Sequence, residues 1–237
     1  MKKIITTLAG MAKVALISTA LLGVVATEAE AQFDMSLELN SRYVWRGADF
    51  GSSPSLMPEV SFTYGGFEIG AWAAYATNGN PDGTEINFFA GYTFETSAGD
   101  FSLHVTDYFF PDEPVSVFTG DAHFVEIGLS YETALSENTS LGLSTNMFVY
   151  NDDDNAMYHE ISLTQALEDF EIALFSGFTT GATELYENTQ FSFINVGATL
   201  SREFTVGAAT PLGVSASLIT NPQAERIFFV FGASIGF

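Results

Sequence analysis

Apolar and polar residues alternate with a period of two along almost the whole chain beyond residue 31. That period marks strands with two unlike faces rather than helices. In the first run Phe33, Met35, Leu37, Leu39, Tyr43 and Trp45 share one face. Asp34, Ser36, Glu38, Asn40, Arg42 and Arg46 share the other. Eleven further runs follow at 57–64, 67–75, 85–94, 101–110, 122–131, 139–150, 157–167, 170–178, 189–200, 204–218 and 227–237. Most are close to the length of about 9–11 residues that a tilted strand needs to cross a bilayer. Their connections alternate between short (65–66, 95–100, 132–138, 168–169, 201–203) and generally longer and more polar (47–56, 76–84, 111–121, 151–156, 179–188, 219–226). The pattern predicts an all-β, twelve-stranded antiparallel transmembrane barrel wound as a meander. Short turns then face the periplasm and long loops the exterior.

Two details support a membrane setting. Phe33, Phe67, Phe101, Phe170 and Phe204 open strands running one way, while Tyr64, Phe94, Tyr131 and Phe237 close those running back. Such aromatics form a girdle at a membrane–water boundary. The last run, Ile227 to Phe237, keeps one apolar face and ends on an aromatic, as closing strands of outer-membrane barrels do. Residues 1–31 read as a cleaved signal peptide: Lys2, Lys3 and Lys13, then the apolar run Val14 to Val25, then Ala29-Glu30-Ala31. Residues 32–237 then form one barrel domain in the bacterial outer membrane. The apolar run is too short to span comfortably as a helix, and only a closed sheet otherwise satisfies its backbone in lipid.

Charge sharpens the picture. Residues 1–31 hold three of the seven Lys and Arg and two of the 29 Asp and Glu. The remainder has four basic and 27 acidic side chains and no lysine. Such a surface repels nucleic acid and anionic lipid, and favours cations in any pore. Cysteine is absent, so disulfide and thiol chemistry are excluded.

The segment Ser41-Arg42-Tyr43-Val44-Trp45-Arg46-Gly47 resembles the S-x-Y-V-W-R-G stretch near the mature N-terminus of the uncharacterised bacterial family Gcw_chp. The resemblance implies a signal peptide and an outer-membrane barrel inserted by the outer-membrane assembly machinery. It brings no substrate, cofactor or catalytic residue. The acidity and lysine depletion of this chain depart from the family.

Reading the polar face as a lumen puts small or polar residues in its periplasmic half, among them Ser36, Glu38, Gly91, His104, Gly128, Ser162 and Gly197. The extracellular half receives Trp72, Phe89, Tyr108, Phe124, Phe148, Tyr150, Tyr158, Phe175, Phe191, Phe193 and Phe228. Arg42 and Arg46 fall at the same level, with Glu59, Glu85, Glu126 and Glu160 also inward. Buried charges need partners, so both arginines are expected to pair with Glu59, Glu85 or Glu126. A twelve-stranded barrel is roughly 24 Å across between backbones, with a bore near 10 Å where side chains are small. The expected function is a small-solute pore with a polar vestibule below an aromatic and Arg–Glu constriction. Two alternatives stand beside it. One is a closed barrel that binds partners, lipopolysaccharide or divalent ions through its acidic loops. The other is a lipid-modifying enzyme, for which His104, His123 and His159 offer no convincing nucleophile–base pair. Asn151-Asp152-Asp153-Asp154-Asn155 could offer oxygen ligands to a cation, but it does not fit the EF-hand loop and reads as a hairpin loop.

Overall fold

The computed structural model describes residues 31–111, 120–207 and 210–237. The signal peptide inferred for residues 1–31 falls almost wholly outside them, as does most of the connection at 111–121. Twelve long strands close into an antiparallel barrel: β1 (Gln32–Asn40), β4 (Ser55–Tyr64), β5 (Phe67–Ala76), β6 (Thr84–Thr96), β7 (Gly99–Phe109), β8 (His123–Ser136), β9 (Thr139–Tyr150), β10 (Met157–Ala166), β11 (Glu171–Thr179), β12 (Ser192–Val206), β13 (Thr210–Asn221) and β14 (Arg226–Gly236). Each pairs with its neighbours in sequence, and β1 pairs with β14 to seal the cylinder. Phe237 extends the seam, its N–H donating to the Met35 carbonyl at 2.9 Å.

The outer face is what hydrocarbon requires. Phe33, Phe62, Ile69, Leu103, Leu129, Ile161, Phe229 and Phe231 stand exposed around it. At the end with the short turns, Phe101 and Tyr131 lie 4.6 Å apart between ring centroids. The Arg202 guanidinium lies over both Phe170 and Phe204 there.

The sequence pattern and the structure differ in four places. The expected turn at 201–203 lies inside β12, and the chain reverses after Val206, where Gly207 takes φ +65°. Phe191 and Phe193 do not line the lumen. A bulge opposite Gly177 and Phe178 slips the register of β12, so both phenylalanines turn outward and pack with Phe178. A similar slip at Val125 and Glu126 leaves Tyr150 half exposed at the rim. An extra residue in one strand reverses the facing of everything beyond it, and alternation alone does not reveal it.

The largest departure concerns the first run. β1 stops at Asn40, and Tyr43 and Trp45 do not continue toward lipid. They form β2 (Tyr43–Trp45), which pairs with β3 (Ala48–Phe50) as a separate two-stranded hairpin. That hairpin lies inside the barrel, against inner-face residues of β5, β6, β7, β8 and β9.

Candidate functional site: a hairpin across the lumen

Local chemistry turns the chain inward. Ser41 donates its N–H to the Phe231 carbonyl at 2.8 Å, and its Oγ accepts the Phe231 N–H at 2.9 Å. The side chain thus takes a place in the ladder that the next backbone carbonyl would fill, which frees the chain to leave the wall. The hairpin reverses at Arg46 and Gly47, with φ of +47° and +77°. A two-residue turn with both central residues at positive φ matches the twist of the flanking strands. Arg46 holds this conformation without being glycine, a strain found where the surroundings over-determine a functional residue. Gly47 has no substitute there. A Cβ on it would lie 1.9 Å from the Ile194 carbonyl oxygen, and its own carbonyl accepts from Asn221 Nδ2 at 3.3 Å.

The turn carries the Arg46 guanidinium into a closed socket. Its Nη1 and Nη2 donate to the two oxygens of Glu126, at 2.6 and 3.0 Å. Nη1 also donates to the Tyr186 hydroxyl at 2.7 Å. Tyr108 donates to Glu126 Oε1 at 3.1 Å. The plane of the cation is covered by the Trp45 ring at 4.5 Å and the Tyr158 ring at 4.2 Å. Arg46 is 8% exposed and Glu126 2%. Burying this pair is tolerable because the contact is bidentate and its spare donor and acceptor sites are used. The rings add cation–π attraction in a dry setting. Tyr186 comes from the loop between β11 and β12. Thr183 accepts the Tyr186 N–H at 3.1 Å, and the Thr183–Asn188 bridge pins the loop. Burial pushes the Tyr186 phenol up to about 12, so it stays protonated and offers its lone pair to the arginine.

The other residues expected at the site divide into groups. Tyr108 and Phe148 form a buried cluster with Ala156, against which Trp45, Phe124 and Tyr186 pack. Tyr158 donates to Glu160, and Asn195 Nδ2 donates to Tyr158 at 2.9 Å and to Glu160 at 3.3 Å. Around the base of the hairpin, Tyr43 donates to Glu85 Oε2 at 2.9 Å and Asn87 donates to Oε1 at 2.7 Å. Trp72 lies 5.4 Å from the Tyr43 ring. Glu59 is buried beside Trp72 in register, below the socket. Arg42 pairs with Asp49 across the hairpin, because folding back brings that carboxylate to it. Tyr43, Trp45, Asp49, Asn87, Tyr186 and Asn195 escaped the sequence reading as lumen residues. The S-x-Y-V-W-R-G motif was the available signal: its Tyr, Trp, Arg and Gly each meet a wall residue.

Nearer the short turns the lumen changes character. Side chains lie flat on glycines of the next strand: Phe89 over Gly70, Phe175 over Gly197, His104 over Gly128. His104 Nε2 lies 2.9 Å from Asn146 Oδ1. Of the other histidines, His123 pairs with Asp107 at 2.9 Å and His159 stacks on Phe178. The acidic loop at 151–155 is occupied in building itself. Asp152 accepts from the Ala156 N–H, and Asp154 accepts from the Glu184 N–H at 2.7 Å.

The barrel is similar in fold to a KdgM porin, at TM-score 0.55 and 8% identity, over 88% of this chain and 98% of that one. The same likeness holds for a KdgM porin in complex with disordered oligogalacturonate, with the same TM-score, identity and coverage. At such identity the likeness shows the outer-membrane porin fold alone. No curated protein matches the chain. The profile of the family described as "Bacterial protein of unknown function (Gcw_chp)" matches residues 26–228. The motif that builds the hairpin thus sits within a match over most of the chain, which belongs to the Gcw_chp family.

Proposed function

We propose that the protein is an outer-membrane channel for small solutes whose passage is controlled at the S-x-Y-V-W-R-G hairpin. The carrying observation is the division of the lumen. One hairpin, fastened by one buried arginine, crosses the loop half, while toward the turns no hairpin enters and wall side chains such as His104 lie over glycines of the next strand. A barrel meant only as a rigid plug has no need of two such unlike levels. Long loops face outward and short turns the periplasm, the orientation usual for such barrels. Insertion proceeds through the assembly machinery, with β14 and Phe237 as the closing strand, and lipopolysaccharide meets the loop rim.

The similar KdgM porin has been captured in complex with an oligogalacturonate, so this fold can accommodate a sugar chain. An oligogalacturonate is a chain of carboxylates. Residues 32–237 carry 27 acidic side chains against four basic ones, so such a polyanion does not suit this lumen. A second reading, a closed barrel acting through its loops, is favoured by the complete seating of Arg46.

Planar-bilayer recording separates the two. The wild-type protein is expected to conduct in small or infrequent steps, and Gly47→Ala, which cannot seat its turn against Ile194, in larger ones. Silence from both proteins, with the barrel shown to be folded, overturns the channel.

A further inference from the structure

Two buried carboxylates bond to the folded-in hairpin, and they are served differently. Glu126 receives the Arg46 guanidinium on both oxygens. Glu85 on β6 is 3% exposed and receives only neutral donors, the Tyr43 hydroxyl at 2.9 Å and the Asn87 amide at 2.7 Å. Beyond residue 13 the arginines are Arg42, Arg46, Arg202 and Arg226, and there is no lysine. Arg42 and Arg46 are held by Asp49 and Glu126. Arg202 lies over Phe170 and Phe204, and Arg226 is exposed at the loop end of β14. The histidines meet Asn146, Asp107 and Phe178. Among the described residues, none of these groups is paired with Glu85. A buried carboxylate is destabilising unless a positive charge stands beside it.

A second, independent feature adjoins it. Asn87 is 8% exposed, and its Oδ1 meets no donor while its Nδ2 is spent on Glu85. Turning the amide over would set Oδ1 against the carboxylate and leave Nδ2 without an acceptor, so one end stays unanswered either way. A bare carbonyl beside a carboxylate calls for a donor that carries positive charge.

The neighbours narrow the class. Asn87 lies directly opposite Trp72 on β5 and Tyr108 on β7, and the Trp72 ring lies 5.4 Å from that of Tyr43. Aromatic faces attract organic cations and pack against their apolar stems. A single carboxylate matches a single positive charge. A divalent ion needs more oxygen ligands, and among the described residues no group of three acidic or histidine side chains is placed to hold one. An ammonium carries N–H donors and no acceptor, so it can serve Glu85 and Asn87 together.

We propose that Glu85 and Asn87 bind the ammonium group of a small primary amine, with Trp72 against its apolar stem. The solutes controlled by the hairpin are then organic cations, which rests on the channel reading above and names its solute class. The hairpin closes this site: Tyr43 packs with Met57 and Ala74 and bonds to Glu85. Binding therefore goes with lifting of the hairpin, and a protein whose hairpin is already loosened should bind more tightly.

The test is isothermal titration of the folded barrel in detergent micelles with n-butylamine at neutral pH, where the amine carries its proton. It is applied to the wild type, Gly47→Ala, Glu85→Gln and Asn87→Val, each checked for a folded barrel by its heat-dependent gel shift. The wild type is expected to bind, and Gly47→Ala to bind several-fold more tightly. Glu85→Gln and Asn87→Val should each lose about tenfold in affinity, the worth of one hydrogen bond to a charged group. Potassium chloride at the same concentration should not displace the amine. No binding by wild type and Gly47→Ala, affinity unchanged in both site variants, or equal displacement by potassium overturns the inference. Planar-bilayer recording of the same preparations keeps the two readings apart. Conductance without amine binding overturns the site alone, and amine binding with silence in the bilayer supports the site while removing the channel.

Discussion

In the loop half of the lumen the two arginines that enter are each held by a carboxylate, and the better buried one is roofed by aromatic rings. In the turn half, carboxylates stand beside carboxylates, with no arginine on the same face. The barrel wall is the same antiparallel ladder throughout. The halves differ in what fills them: a folded-in hairpin above, the wall's own side chains below. Burial raises the stakes of electrostatics above, whereas solvent screens them below. Removing one charge should therefore have opposite signs in the two halves.

The largest expected effect is in the upper half. Glu126→Gln leaves the Arg46 guanidinium buried without a counter-charge, and should cost about 4 kcal/mol of barrel stability. Urea titration in detergent micelles, followed by tryptophan emission, reads this directly through Trp45 and Trp72. The double variant Arg46→Met with Glu126→Leu should recover most of the loss, since two apolar groups replace a buried pair at little net cost. Additive losses in the double variant would show that the two side chains do not act as a pair.

Gly47→Ala comes next. It places a methyl on the Ile194 carbonyl and keeps φ at a value unfavourable to alanine, at a cost of about 2 kcal/mol. The barrel ladder does not include the hairpin, so the strands should stay paired while the hairpin leaves its seat. Cleavage by added protease between Arg46 and Gly47 should then become rapid. A hairpin as protected as in the wild type would break the link between Gly47 and seating. Tyr186→Phe is milder. It removes one acceptor from Arg46 and keeps the ring on Trp45, so about 1 kcal/mol is expected in the same urea titration. No change would mean that the loop covers the arginine without holding it.

How far these features could be read from the sequence follows from what each depends on. The wall was legible because lipid on one side and lumen on the other write a period of two into every strand. Phe101 and Tyr131 could be placed before their 4.6 Å contact was known. The inward face of Glu126, Tyr108 and Phe148 was legible for the same reason, and so was the need of Arg46 for a nearby carboxylate. The hairpin was hidden because Tyr43 and Trp45 keep the parity of Phe33 to Leu39, interrupted only at Ser41. What redirects them is tertiary: the Ser41 hydroxyl capping the ladder at Phe231, and a turn that fits only against Ile194. The facing of Phe191 and Phe193 was lost to a bulge, which leaves no mark on residue type.

The smallest effect is the sharpest test of the contrast, because its sign is reversed. Asp100 faces Glu95 on one side and Glu132 on the other, at the close spacing of directly opposed strand residues. Asp100→Asn keeps the shape and removes two repulsions, so the barrel should gain about 0.5 kcal/mol in urea. The gain should shrink in 1 M salt, where the screening length falls to about 3 Å. The Glu126→Gln loss should persist in the same salt, because a dry socket excludes the screening ions. Equal salt responses at the two sites would mean that the row and the socket share one environment, and the division of the lumen would have to be given up.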